Sequence, residues 1–366
     1  MQANNKQLQF INTYSINNVG DAAIYAALFH LAKANGFETI SAPGLEVHNE
    51  VLQAQLGAEI STEVFSNTHF LSVGGDIFNN ARPTLITKQF LKNVYALSRY
   101  AKNTALFGQS IPRSCQGISF RLLAIQLKKL STVVVRDQES FNRLQQSTIP
   151  AKLSYDTVFA APINLDHQRE VQEHFQGELD IDNLVVVSLR SFDHLYPANN
   201  ERFLLEIQRL FALLEEAGLQ LGIILQSKVD HSDSDLAIIN ALNKTQKIKL
   251  IDPFLAHATL AHIAPWEIAQ AIIAEAKLVI GIRYHTAIFR LLGGKMPFNI
   301  FYSNKGQDLQ ERLAVPSCSV ADFTAEKYFS EIMATENQVF DARVITQQVS
   351  NDFSYVAQRL AQQTAF

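Results

Sequence analysis

The sequence predicts an α/β protein of two doubly wound, Rossmann-like domains, each built on a parallel sheet and facing the other across a cleft. Three observations carry this. Short apolar runs alternate with longer helical patterns, as in repeated strand–helix–strand units. The runs are apolar throughout, as burial on both faces of a sheet requires. The chain has 366 residues, 47% hydrophobic and 18% charged, which is enough for two cores.

In the first half the strands fall at Leu8–Asn12, Phe37–Ile40, His69–Val73, Thr104–Phe107 and Thr132–Val135. Helical patterns lie between them, over Asp21–Ala34, Thr84–Tyr100, Ser119–Leu130 and Gln138–Gln145. The stretch Pro162–Asp182 is polar and without a strand, which marks a boundary. Alternation resumes with strands at Leu184–Leu189, Leu221–Leu225 and Ile248–Ile251, a strand that opens at Leu278, and Met296–Phe301. The intervening helices are placed at Asn200–Ala217, Asp233–Leu242 and Pro265–Glu275. From Arg343 onward Ile345, Val349, Phe353, Val356 and Leu360 recur at spacings of three and four, a helix that packs back across the domains. The expected division is 1–165, 180–330 and a helical tail at 335–366.

The net charge is −4 and no Lys/Arg cluster stands out, which weighs against nucleic acid as a partner. Cys115 and Cys318 form no CxxC pair, so neither a disulfide framework nor a zinc site is suggested. The N-terminal MQANNKQLQF lacks a basic-then-apolar signal pattern, and no apolar run approaches the roughly 18 residues of a membrane span. A cytoplasmic protein is expected, with peripheral contact at the inner face of a membrane left open. No metal site is expected; the acidic run "DHSDSD" at Asp230–Asp235 reads as a solvated loop and helix start.

In open α/β sheets ligands bind beyond the carboxyl ends of the strands, so the residues there matter most. "NNVGDAAI" follows the first strand: Asn18 and Asp21 are either loop and helix cap or polar contacts to a ligand. Gly74 and Gly75 permit a sharp exit or a close approach, and Asp76 beside them suits sugar hydroxyls. Gln109 and Ser110 read chiefly as a turn, with cleft donors as the alternative. Arg136 leaves a fully apolar strand, so its guanidinium needs an anion, either a ligand or an internal partner such as Asp156. Arg190 ends "LVVVSLR" by the same logic, with His194 and Tyr196 in its loop.

The sharpest signal is "LVIGIRYHTAIFRLLGGK". Arg283 closes a strand, and Tyr284 and His285 enter a helix. A helix start offers free N–H groups and the positive end of the dipole, so an added Arg makes an anion site. His285 there can donate a proton. Lys305 sits in a loop after the next apolar strand, on the same edge, so Arg283, His285 and Lys305 can converge on one small polyanion.

Read together, "NNVGDAAI", "VGGDIF", "GQSIP", "VVVRDQES", "YDTVFA" and "GIRYHTAIFRLLGGKMPFNIFYSNK" resemble the polysaccharide pyruvyl transferase family. The family pattern often has a third glycine where this chain has Asp76. The resemblance implies a GT-B-like fold and transfer of a pyruvyl unit from phosphoenolpyruvate to two hydroxyls of one sugar, giving a cyclic ketal. It implies His285 as the acid, and Arg136, Arg283 and Lys305 as donor-binding groups; Arg190 joins them by its position. Asn18, Asp21, Asp76 and Gln109 fall to the sugar acceptor, lipid-linked or nucleotide-linked. Phosphoenolpyruvate is a co-substrate, and no further cofactor is called for. A GT-B glycosyltransferase using a nucleotide sugar, or a sugar-binding protein on the same fold, are the competing readings.

Overall fold

The computed structural model describes residues 6–65, 68–80, 86–192, 200–229, 235–242 and 248–363. The chain forms two compact units. The first comprises the residues up to Ile16, Asp21–Pro162 and Arg343 onward; the second comprises Asn17–Gly20 and Ile163–Ala342.

The first unit holds six parallel strands: β1 (Gln7–Ile11), β2 (Thr39–Ser41), β3 (His69–Ser72), β4 (Thr104–Gln109), β5 (Thr132–Val135) and β6 (Lys152–Leu153). Their order is β2-β1-β3-β4-β5-β6, all neighbours parallel. Strand β6 is two residues long, too short to leave an apolar run in the sequence. One face of the sheet packs Leu106, Val133 and Val135 against Phe90, Val94 and Leu97 of helix Lys88–Arg99 and Leu123 and Leu127 of helix Ile118–Leu127. Side chains alternate along a strand, so Phe107 points the other way. It meets Phe353 of the C-terminal helix, Arg343–Gln363, edge to face at 5.3 Å. Thr346 Oγ1 donates to the Phe159 carbonyl at 2.7 Å, and Lys152 pairs with Asp352 at 2.5 Å. The stripe Ile345, Val349, Phe353, Val356 and Leu360 is buried, and its helix is part of the first unit rather than a separate tail.

The second unit repeats the architecture with β7 (Leu184–Ser188), β8 (Gln220–Ile224), β9 (Lys249–Ile251), β10 (Leu278–Gly281), β11 (Phe298–Phe301) and β12 (Ser317–Ser319). The order is β12-β11-β10-β7-β8-β9, again parallel throughout. The chain runs outward from β7 to β9, then returns to β10 on the other flank of β7. The strand order therefore reverses between β7 and β10, the place where a parallel sheet opens a ligand crevice at its carboxyl edge. The polar stretch after Pro162 contains helix Leu165–Phe175, which lies on helix Pro265–Glu275 through Gln168–Gln270 and His167–Glu267 contacts of 2.9 Å. It therefore belongs to the second unit. Buried Arg290 donates to the carbonyls of Ile273, Ala274, Ala276 and Lys277, closing the end of helix Pro265–Glu275. Burial pulls its guanidinium down to about 10.

Candidate functional site

In the second unit Arg190 follows β7 and Arg283 follows β10, so the two arginines flank the point where strand order reverses. The hydroxyl of Ser188, at the end of β7, accepts from the N–H groups of Ile282 and Arg283 at 3.1 and 3.0 Å. This ties the two strand ends together. Arg283 occupies the N-cap position of helix Tyr284–Leu292, as the sequence predicts. Its Nε donates to Asp235 Oδ1 at 2.9 Å, and its Nη2 contacts the same oxygen. The second Asp235 oxygen accepts the N–H groups of Gln226 and Ser227 at 3.0 and 3.1 Å. A buried carboxylate with this many donors stays ionised and fixes the guanidinium.

Asp235 corrects the solvated-loop reading of its run, because it is fully buried. Residues 230–234, and His194 and Tyr196, lie outside the described residues. Among the described residues no cluster of His, Cys, Asp or Glu could hold a metal ion.

Tyr302, just after β11, is the center of the cationic group. Arg190 Nη1 donates to its hydroxyl at 2.8 Å and stacks on its ring at 4.8 Å. Burial alone would raise the phenol pKa, but the charges of Arg190, Lys305 and Arg283 outweigh it and bring the pKa below the ordinary value. Lys305 Nζ also lies 5.4 Å over the Tyr284 ring. Lys305 is not in a loop: it stands in the first turn of helix Asn304–Leu313, which turns back tightly because Gly306 has no Cβ to strike Phe301. The sequence reading singled out the three cations and passed over Tyr302, whose signal was its place three residues before Lys305 at a strand end.

His285 is the second residue of its helix and meets Tyr284 edge to face at 5.3 Å. Its other neighbour is remote in sequence. Residues Asn17–Gly20 are woven into the second unit: Asn18 bridges to Ser227, Val19 N–H donates to Gln226, and Lys228 N–H donates to Asn17. Gly20 lies against the imidazole so closely that a Cβ there would fall 1.9 Å from Nδ1. Asn18 Oδ1 accepts the Gly20 N–H at 3.0 Å and so caps helix Val19–Ala34. Asp21, the cap expected from sequence, instead sits buried in the first turn.

The first unit treats its strand-end residues differently. Arg136 is buried, with Nη1 2.5 Å from Asp156, Nη2 3.0 Å from Asp76 and Nε 2.8 Å from Ser110 Oγ. The internal partner weighed from sequence is thus what the fold builds. Arg136 lies in the first unit and Arg190, Arg283 and Lys305 in the second. Gly75 is the residue that admits this arginine, since a Cβ there would meet Nη2 at 3.2 Å. Gln109 is wholly buried; it donates to the Val73 carbonyl at 2.5 Å and accepts from Ser72 Oγ at 3.0 Å. Its amide joins β3 to β4.

A sequence model described as Polysaccharide pyruvyl transferase matches residues 18–295, a span that includes Asn18, Arg190, Arg283 and His285 and stops short of Tyr302 and Lys305. Among solved structures, the UDP-GlcNAc 2-epimerase from Neisseria meningitidis bound to UDP-GlcNAc is similar, with a TM-score of 0.64 at 11% identity over 96% of this chain and 100% of that one. The Methanocaldococcus jannaschii UDP-GlcNAc 2-epimerase, in complex with UDP-GlcNAc and UDP, gives 0.60 at 12% identity over 95% and 99%. At such identities the likeness is one of fold: the two-domain α/β architecture read from the sequence. No curated protein matches the chain. The length of the family match settles membership: this chain belongs to the polysaccharide pyruvyl transferase family.

Proposed function

We propose that the protein transfers a pyruvyl group from phosphoenolpyruvate to two hydroxyls of one sugar, forming a cyclic ketal on a polysaccharide or its precursor. The observation that carries this is the grouping of Arg190 on Tyr302, Lys305 over Tyr284 and Arg283 at the N-cap of the helix whose first turn holds His285. Phosphoenolpyruvate presents a carboxylate and a phosphate, about three negative charges in all. Arg190 and Lys305, together with Arg283 held in place by Asp235, offer positive charge at a helix start, and guanidinium forks suit both groups.

The chemistry divides among these residues. Protonated His285 gives its proton to the methylene carbon of the enol, which leaves C2 electrophilic. One sugar hydroxyl adds to C2 and loses its proton. The bond from C2 to the phosphate oxygen breaks, and the cations stabilise the departing phosphate. The second hydroxyl adds to C2 and closes the ring. Of the two hydroxyl protons, one restores His285 and the other leaves with phosphate. No further cofactor enters. The acceptor is a sugar on a lipid or nucleotide carrier, handled at the cytoplasmic side, with Asn18 and Asp21 as its nearest candidates in the chain.

The test is phosphate release from phosphoenolpyruvate across a panel of sugar acceptors, with a mass gain on the sugar. Release is expected only with a suitable acceptor, and none is expected from His285→Ala although it folds. Thermal stabilisation by UDP- or GDP-sugars but not by phosphoenolpyruvate would defeat the proposal in favour of a glycosyltransferase.

A further inference from the structure

The chain is acidic overall, yet its charge is unevenly placed. Between Ile77 and Arg136 there is no Asp or Glu, although the chain has 35 of them, while ten of its 31 Lys and Arg lie in that stretch. No short run of basic residues announces this, which is why a scan for clusters passes over it; the signal is the missing acids. Helices Lys88–Arg99 and Ile118–Leu127 come from this stretch and pack side by side on one face of the first sheet.

Their outward strips combine charge with apolar bulk. On the first helix Lys88, Leu91, Lys92, Tyr95 and Arg99 are exposed at spacings of three and four, with Leu91 at 47% and Tyr95 at 65%. On the second, Ile118 and Ile125 are 57% and 51% exposed and stand with Arg121, and Lys128 and Lys129 follow directly. Single exposed apolar residues are ordinary. Four large ones on two adjacent helices, interleaved with cations and with no acidic residue, are not. None of the six basic side chains is in an ion pair among the described residues.

We propose that this face of the first unit docks on an anionic phospholipid bilayer. Cations at headgroup level with aliphatic and aromatic side chains just below are what an interfacial helix pair needs. A soluble polyanion would engage the cations and have no use for Leu91, Ile118 and Ile125. The acidic remainder of the chain is repelled by the same membrane, which would orient the protein with this face inward. Among the described residues no helix is long and apolar enough to cross a membrane, so the contact is peripheral. The inference stands apart from the reaction proposed above.

The test is co-sedimentation of the full chain with vesicles of mixed phosphatidylglycerol and phosphatidylcholine, and of phosphatidylcholine alone, at low and high salt. Binding is expected only to the anionic vesicles and is expected to weaken with salt. Each basic group at such a surface is worth about fivefold in partitioning. Lys92→Ala with Lys128→Ala should therefore cost roughly 25-fold. Leu91→Glu with Ile125→Glu should abolish vesicle binding while leaving the melting temperature unchanged. Failure to bind anionic vesicles overturns the proposal. So does undiminished binding by the Leu91→Glu, Ile125→Glu variant, or equal loss of both variants' retention on heparin, which would mark the face as a reader of soluble polyanions.

Discussion

Replacing Gly20 by Ala separates two effects that usually run together. By backbone criteria the change is mild. Gly20 lies in helix Val19–Ala34 and is not among the glycines with positive φ. Ala favours a helix over Gly by about 1 kcal/mol, so helix propensity predicts a neutral or stabilising substitution. The tertiary contact predicts the opposite for activity. The new Cβ would lie 1.9 Å from His285 Nδ1, 2.6 Å from Cγ and 2.8 Å from Cε1. Ordinary van der Waals contact begins near ~3.4 Å, so the ring must retreat by about 1.5 Å. Because Cγ itself is struck, rotation about χ2 gives no relief, and χ1 must leave its well. A displacement of about 1 Å at a reacting group costs roughly 100-fold in rate. The assay is phosphate release from phosphoenolpyruvate with acceptor, paired with a thermal melt. The expected result is turnover down about 100-fold with the melting temperature held or raised. In combination with His285→Ala the glycine change should add nothing, because the two act through one ring. Turnover within about threefold of the parent, in a folded Gly20→Ala protein, would refute the reasoning.

Two further outcomes follow from buried charge. Arg136→Met strands Asp156 and most of Asp76 without their counter-ion, and breaking such a pair costs about 3–5 kcal/mol. Urea denaturation should show that loss, and adding Asp156→Asn should recover part of it; a loss under about 1 kcal/mol would mean the pair is solvated. Tyr302 should give a tyrosinate absorbance step below the ordinary phenol pKa, absent in Tyr302→Phe, because its cations favour the ionised form. The folded pKa is the lower one, so the resulting stabilisation is fully present only above the unfolded pKa and is lost as pH falls through the folded value. Phosphoenolpyruvate, by neutralising the cations, should move the step to higher pH. A step that ignores the ligand would separate the cation group from donor binding.

Much of the fold was legible because apolar runs and helical spacings are local. Strand β5 and helix Pro265–Glu275 fall where the sequence places them, and the other anticipated elements differ by a few residues at their ends. Helices Asn49–Leu56, Leu165–Phe175 and Ala325–Ala334 were not anticipated, and other misses have local causes. Strand β6 and strand β12 are two and three residues long, and helix Asn304–Leu313 is polar apart from its buried stripe. The strand-end rule singled out Arg190, Arg283, His285 and Lys305, which lie at the carboxyl edge of the second sheet. It could not tell which strand-end polar groups the protein would use up itself. Arg136 and Arg283 look alike in sequence, each after an apolar strand. Arg136 meets Asp76 and Asp156; Arg283 meets Asp235, which also accepts two backbone N–H groups.

The sequence by itself determined two parallel-sheet domains, the amphipathic C-terminal helix and the family, because burial on two faces and strand-to-helix turns are written in neighbouring residues. The tertiary structure alone decided which partner each strand-end arginine takes. That choice depends on carboxylates supplied from afar: Asp76 and Asp156 to Arg136, Asp235 to Arg283. It also depends on contacts a linear reading does not contain, such as Gly20 against His285, which exists because a segment just after the first strand pairs with residues more than two hundred positions away.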